Sequence, residues 1–183
     1  MIYQSKEMEQ RAILQTAAQM CAAARTAPKA HGKDQIYTVV LTGEDKDQLA
    51  REMEALGYEL MGERMNTWYG RDANNVRNAG AVVLVGAKKA YRGVPNCGYC
   101  GFEDCSSCKD AGGNCAHAYV DLGIAVSSAV SVAAAEKIDC RVMFSIGKTA
   151  MQLSFTEEEV FWLGIPLSVS GKNIFFDRNL FHD

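Results

Sequence analysis

Five cysteines crowd into nineteen residues of this 183-residue chain: Cys97, Cys100, Cys105, Cys108 and Cys115, spaced Cys-x2-Cys-x4-Cys-x2-Cys-x6-Cys. Thiolates that converge on one small object can hold an iron–sulfur cluster, and close spacing on a turning loop lets them converge. Gly98, Gly101, Gly112 and Gly113 lie among them. Glycine lets the backbone take a positive φ and approach an inorganic centre, and N–H groups beside such turns can point at its anionic sulfurs. Zinc held by four thiolates is the competing chemistry, because Cys-x2-Cys serves both. Zinc knuckles usually face each other across a longer spacer than the four residues here, so the spacing favours iron and sulfide. A disulfide set, or cysteines that only fill a core, is the third reading.

Cys100-x4-Cys105-x2-Cys108, with Cys140 farther on, imitates a plant-type two-iron spacing. That arrangement would leave Cys97 and Cys115 unused, and a long helix stands between the loop and Cys140. The total of seven cysteines is odd, and Met1 to Arg11 is polar with no apolar run leading to a cleavage site. A reducing, cytoplasmic setting is therefore expected. The longest apolar stretch, Leu122 to Ala135, is too short for a bilayer and reads as a core helix. A net charge of −3 supplies no field for nucleic acid, and Lys88, Lys89 and Arg92 read as a solvated basic group. Neither nucleic acid nor a membrane is expected as a partner.

The elements that must position the cysteines follow from periodicity. Lys6 to Ala24 places Ile13, Leu14, Ala17, Met20, Cys21 and Ala24 on one helical face. Pro28, His31 and Gly32 mark a loop, and Ile36 to Leu41 reads as a buried strand. Thr42 with Asp45 is placed to cap a helix through Met65 carrying Leu49, Met53, Leu56 and Leu60. A short helix at Asn75 to Asn78 leads into a strand at Ala81 to Gly86. The cysteine loop, 92–116, reads as an insertion in a single domain spanning 1–183. A small-residue helix follows from Ala116 to Lys137, then a strand at Arg141 to Ile146 and a short helix at Lys148 to Leu153. Thr156 and Glu159 suggest a capping box for another helix ending near Gly164. Ile165 to Ser170 and Ile174 to Phe176 read as terminal strand pieces. Strands interleaved with helices give an α/β or α+β class in one domain.

Cys97-Gly-Tyr-Cys100-Gly-Phe-Glu-Asp-Cys105 resembles the CGxCG-x3-C signature of four-iron, four-sulfur domains in anaerobic electron-transfer and corrinoid proteins. Together with GGNCAHAYVDLGIAVSSAVSVAA, SIGKTAM and PLSVSGKNIFFDR, it makes the chain similar to a family of prokaryotic proteins containing a ferredoxin domain. That likeness implies a [4Fe-4S] cluster and a redox or electron-transfer role. Ala27-Pro28-Lys29-Ala30-His31-Gly32-Lys33 before the first strand, and Asp121-Leu122-Gly123-Ile124-Ala125 opening the long helix, resemble nitroreductase-like flavoproteins. This second likeness implies an α+β fold with a mixed sheet and flanking helices, a homodimer built partly on Ala118 to Ala135, and FMN at the dimer interface. Lys172 and Arg178 are the cations it offers for the FMN phosphate, whereas the usual N-terminal Arg-Arg-Ser group is replaced at best by Arg25-Thr26.

Cys97, Cys100 and Cys105 would ligate one face of a cubane, so a fourth ligand must come from chain that travels and turns back. Cys115, after Gly112-Gly113 and at the start of the long helix, fits that need, with a helix dipole favouring its thiolate. Cys108, in what reads as a short polar helical turn, is the alternative fourth ligand. Tyr91, Tyr99 and Phe102 read as shields for the centre, while Cys21 and Cys140 read as buried thiols. His31, His117 and His182 read as surface or capping residues rather than acids or bases. No Ser-His-Asp set, Walker loop or HExxH motif is found. Catalytic residues, substrate and electron partner are not legible; an oxidoreductase and a non-catalytic metal-binding module, holding zinc or a cluster, both remain open.

Overall fold

The computed structural model describes residues 1–176, with residues 65–67 described by backbone alone. Helix α1 (Ser5–Thr26) is followed by β1 (Ile36–Leu41), α2 (Gly43–Met61), α3 (Tyr69–Asn78) and β2 (Ala81–Lys88). After the cysteine loop with its short α4 (Cys105–Asp110) come α5 (Ala116–Ala135), β3 (Asp139–Cys140), α6 (Phe144–Ala150) and β4 (Val160–Ser168). The four strands form one sheet in the order β1-β2-β4-β3, and every pairing is antiparallel. The α+β class with flanking helices holds, while the expected mixed sheet is antiparallel throughout its described strands.

Central β2 explains the layering. Its Ala81, Val83, Val85 and Ala87 face α1 and α5, and the intervening Val82 and Leu84 face α2, α3 and α6. Successive strand side chains point to opposite faces, so a strand covered on both faces needs an unbroken apolar run, which AVVLVGA supplies. Beneath it, α1 contributes Ile13, Ala17, Met20 and Ala24, and α5 contributes Leu122, Ala125, Val126, Ala129 and Ala133. The outer side of α5 carries Tyr119, Val120, Gly123, Ile124, Ser127 and Ser131, all exposed. By length and composition α5 is apolar enough to cross a membrane, with a mean hydropathy of 1.6. Among the described residues no other helix is, and the core claims only its inner face.

Several expectations change. Leu14 and Leu60 are exposed, while Thr16 takes a buried place on α1. Helix α2 stops at Met61 because Gly62 turns to φ 57°, and the hydroxyl of Thr42 forms no cap. The run Arg141 to Ile146 is not a strand: pairing ends at Cys140, Met143 makes an isolated bridge to Gly164, and α6 starts at Phe144. A short apolar run does not separate strand from helix by itself. Nor does Gly164 end a helix; it lies inside β4, and Thr156 to Glu159 is a bend leading into that strand, in which Thr156 Oγ1 accepts from the Glu158 N–H at 2.9 Å. Ile174 to Phe176 forms a turn rather than a strand piece.

Glycine is required where α6 meets β4. A Cβ on Gly147 would lie 1.9 Å from the Trp162 carbonyl oxygen, and one on Gly164 would lie 2.0 Å from Ile146 Cγ2. The first obstacle is backbone and cannot rotate away. Gly147→Ala should therefore destabilise the fold by at least about 3 kcal/mol, read as a lower urea midpoint. A near-native midpoint would mean that α6 slides away from β4 at little cost.

Candidate metal centre

The segment between β2 and α5 is short of regular structure, and side chains anchor it at both ends. At its start Lys88 and Lys89 pair with Glu158 at 2.6 Å and Glu159 at 3.0 Å. Tyr91 then donates to the Gly113 carbonyl at 2.8 Å, tying the beginning of the loop to its end. Inside, Gly98 and Gly101 take φ of 61° and 81°, and the Gly101 N–H closes a tight turn on the Gly98 carbonyl at 2.9 Å. Asp104 caps α4, accepting from the Ser107 N–H at 2.7 Å and its hydroxyl at 2.8 Å. Those bonds hold its carboxyl below the ordinary range, because they favour the charged form.

The Gly112-Gly113 pair does reverse the chain. Gly112 turns at φ 66°, and the two N–H groups return to the Lys109 and Cys108 carbonyls at 2.9 and 2.8 Å. Gly113 has no room for a side chain: a Cβ would lie 2.8 Å from Phe102 and 3.0 Å from Cys108 Sγ. The chain then enters α5 with Cys115 as the residue before its first turn. Cys115 thus stands at the N-terminal end of α5.

A cavity of about 270 Å³ results. Its walls include Cys97, Cys100, Cys105 and Cys115, with Phe102 and Arg92 beside them. Cys108 is not on that wall; it is buried, with the Cys100 thiol as a neighbour. Burial first, then the Cys100 neighbour, pushes the Cys108 thiol up to about 11. Among the described residues, no three His, Cys, Asp or Glu side chains close to the spacing that one metal ion requires. Four thiolates on one zinc would stand roughly 3.8 Å apart, given Zn–S bonds of about 2.3 Å. The four cysteines instead line one cavity of about 270 Å³ together with other loop residues.

Arg92 is the residue that the sequence reading misplaced. It is not solvated but 1% exposed, facing an Asp121 that is equally buried. Arg92 Nε donates to Asp121 Oδ2 at 2.8 Å, and Nη1 donates to Gln35 Oε1 and to the Ala90 carbonyl. Asp121 Oδ1 accepts from the Ala30 N–H at 2.9 Å. Lys33 Nζ, at 3.1 Å, and His31 Nδ1, at 3.3 Å, sit on the Arg92 carbonyl. The loop after α1, the entry to β1, the cysteine loop and α5 all meet at this pair. Asp121 was a usable signal: a lone carboxylate on an apolar helix needs a buried partner.

The remaining sequence-predicted residues are scattered. His117 lines the cavity and stacks on Tyr99, with ring centroids 5.4 Å apart, although Tyr99 itself is largely exposed. Cys21 and Cys140 are half-buried, and burial raises both thiols. Cys140 lies past the far end of α5, whose 20 residues span about 30 Å, so it cannot join the loop cysteines. Lys172 is exposed in a bend after β4, and Arg178 and His182 lie outside the described residues. In the Ala27 to Lys33 loop the cations are already engaged. Lys29 Nζ donates to the Arg25 and Ala27 carbonyls, Arg25 pairs with Asp34 at 2.7 Å, and Lys33 holds Arg92.

Residues 111–178 match the model of a family described as uncharacterized protein containing a ferredoxin domain. An uncharacterized protein from Archaeoglobus fulgidus is 39% identical over 97% of this chain and 98% of its own length. Among solved structures, the fold is similar to a nitroreductase with bound FMN from Desulfitobacterium hafniense. That likeness has a TM-score of 0.57 at 16% identity, covering 94% of this chain and 81% of that one. A BluB-like flavoprotein from Clostridium difficile gives 0.56 at 16% identity, covering 87% and 81%. The FMN-dependent nitroreductase NfnB from Mycobacterium smegmatis, in complex with NADPH, gives 0.57 at 13%, covering 88% and 81%.

The buried pair makes its own prediction. Asp121→Ala strands the Arg92 charge and should cost about 3–5 kcal/mol in chemical denaturation. Arg92→Met/Asp121→Ala, which removes both charges, should recover much of that loss. A double variant as weak as the single one would show that packing, not charge pairing, holds the site together.

Proposed function

The chain belongs to the family of uncharacterized proteins containing a ferredoxin domain, and from that premise we propose that it binds a [4Fe-4S] cluster and serves in electron transfer. The observation that carries this reading is the cavity with four cysteines on its wall. Cys97, Cys100, Cys105 and Cys115 would hold the cluster, with Cys108, a neighbour of Cys100, as the alternative fourth ligand. The donor set is all thiolate, as such clusters require, and the spread around a cavity suits a cluster better than a zinc ion. When bound, the cluster would accept and release single electrons. The chain's part is to fix the thiolates on glycine turns, to place Cys115 at a helix N-terminus, and to cover one side with Phe102 and the Tyr99–His117 stack. A cytoplasmic, reducing setting suits a set of free thiols.

Flavin has weaker support. The neighbours described with FMN share the fold alone with this chain, and Arg25, Lys29 and Lys33 are bound to protein oxygens. No step is assigned to flavin. A non-catalytic module pinned by zinc is the other reading, and metal content separates the two.

Anaerobically purified protein should be brown, with near four iron and four sulfide per chain and visible absorption bleached by dithionite. Cys108→Ser should keep that spectrum, while Cys115→Ser should lose it or leave a three-iron species. Colourless protein with one equivalent of zinc would sink the cluster, and the reverse pattern in the two serine variants would move the fourth ligand to Cys108.

We also propose that the chain is a homodimer through the outer face of α5, where small residues permit close helix approach. Gly123 there has nothing within 4 Å of an added Cβ, so the single chain tolerates a larger side chain. Light scattering should give twice the chain mass for the wild type, and one chain mass for Gly123→Arg. A monomeric wild type would remove the proposal.

A further inference from the structure

Arg92 carries a donor that the rest of the protein leaves unused. Its Nε and Nη1 are engaged, but Nη2 is buried with no hydrogen-bond partner among the described residues. Asp121 cannot turn to it, since one carboxylate oxygen takes Nε and the other takes the Ala30 N–H. A guanidinium is always charged and has five donors in a rigid fork. Leaving one unmade in a buried site costs about 1–3 kcal/mol or more. Arg92 is at the same time a wall residue of the cavity that holds Cys97, Cys100, Cys105 and Cys115. Within that wall the thiolates are the natural acceptors for it. The other cations near this junction, Lys29 and Lys33, spend their ammonium groups on main-chain carbonyls.

We infer that Arg92 Nη2 donates to the anionic cluster and its thiolates, and that this donor, the positive end of the Arg92–Asp121 pair, raises the cluster's reduction potential. The inference rests on the cluster reading above and assigns Arg92 a tuning role within that site. Adding an electron makes the centre more negative, so a hydrogen bond and positive dipole directed at it stabilise the reduced form more than the oxidised one. Asp121 and Gln35 are positioning residues: they hold the fork so that Nη2 is the donor left over.

The test is a redox titration of the anaerobic full-length protein, followed at the visible band, with iron and sulfide counted. Arg92→Gln/Asp121→Asn removes both charges together, so no buried charge is stranded. It should load the same iron and sulfide as the wild type. Its equilibrium constant for one-electron reduction should fall at least tenfold, read as a potential about 59 mV more negative. Arg92→Lys should shift in the same direction, because lysine has one nitrogen, held at Asp121, and lacks the second fork nitrogen that arginine extends beyond that pair. A loaded neutral pair with the wild-type potential overturns the inference while leaving the cluster in place. If that variant does not fold, an unchanged potential in Arg92→Lys does the same. Colourless wild-type protein removes the cluster reading, and this inference with it.

Discussion

Arg92 and Asp121 meet where four segments have little apolar surface with which to hold one another. The loop after α1 arrives through the Ala30 N–H, the entry to β1 through Gln35, the cysteine loop through Arg92 itself, and α5 through Asp121. Cys97, Cys100, Cys105 and Cys115 all lie in the stretch of chain between Arg92 and Asp121. Their shared cavity therefore depends on α5 and the entry of the loop keeping one relative position. Two charges buried in an apolar surround are worth little as a pair but a great deal as a constraint, since separating them strands each in low dielectric. That is why a polar contact, rather than more hydrophobic area, sets the geometry of the site.

The sheet supplies the rigid frame behind that junction. Because β2 is buried on both faces, α5 is pressed against it from one side while α2, α3 and α6 close the other. The register of β2 on β4 brings Lys88 opposite Val160, next to Glu158 and Glu159, and so pins the beginning of the cysteine loop by ion pairs. Bare backbone at Gly147 and Gly164 lets α6 approach β4 closely enough for Trp162 and Ile146 to pack. A loop with scarcely any core of its own is thus hung between two well-packed points.

The chain shares its fold with nitroreductases and carries a cysteine-lined cavity between β2 and α5. The fold is shared with proteins described with FMN, yet the loop after α1 turns its cations inward, onto the carbonyls that support Arg92 and the end of α1. A scaffold of this kind offers a junction between a loop, a sheet edge and a long helix. Here cysteines and one buried arginine occupy that junction.

The cysteine spacing, the glycine turns, β1, β2 and the long helix α5 were legible in the sequence, because each rests on local periodicity or local backbone freedom. So was the polar turn at Cys105 to Asp110, where Asp104 precedes two serines. Strand β4 was read as part helix, and α6 as the end of a strand followed by a helix, since runs of seven to nine residues carry too few periods to choose; for β4 it was pairing with β2 that chose. The fate of Arg92 was not legible at all. Beside Lys88 and Lys89 it looks like one more surface cation, and nothing within a few residues distinguishes it. Only tertiary structure brought Asp121 from twenty-nine positions away to bury it, and only the folded loop shows Cys97, Cys100, Cys105 and Cys115 lining one cavity without Cys108. Local sequence determines what each segment prefers; the cost of stranding a buried charge is a property of the assembled fold.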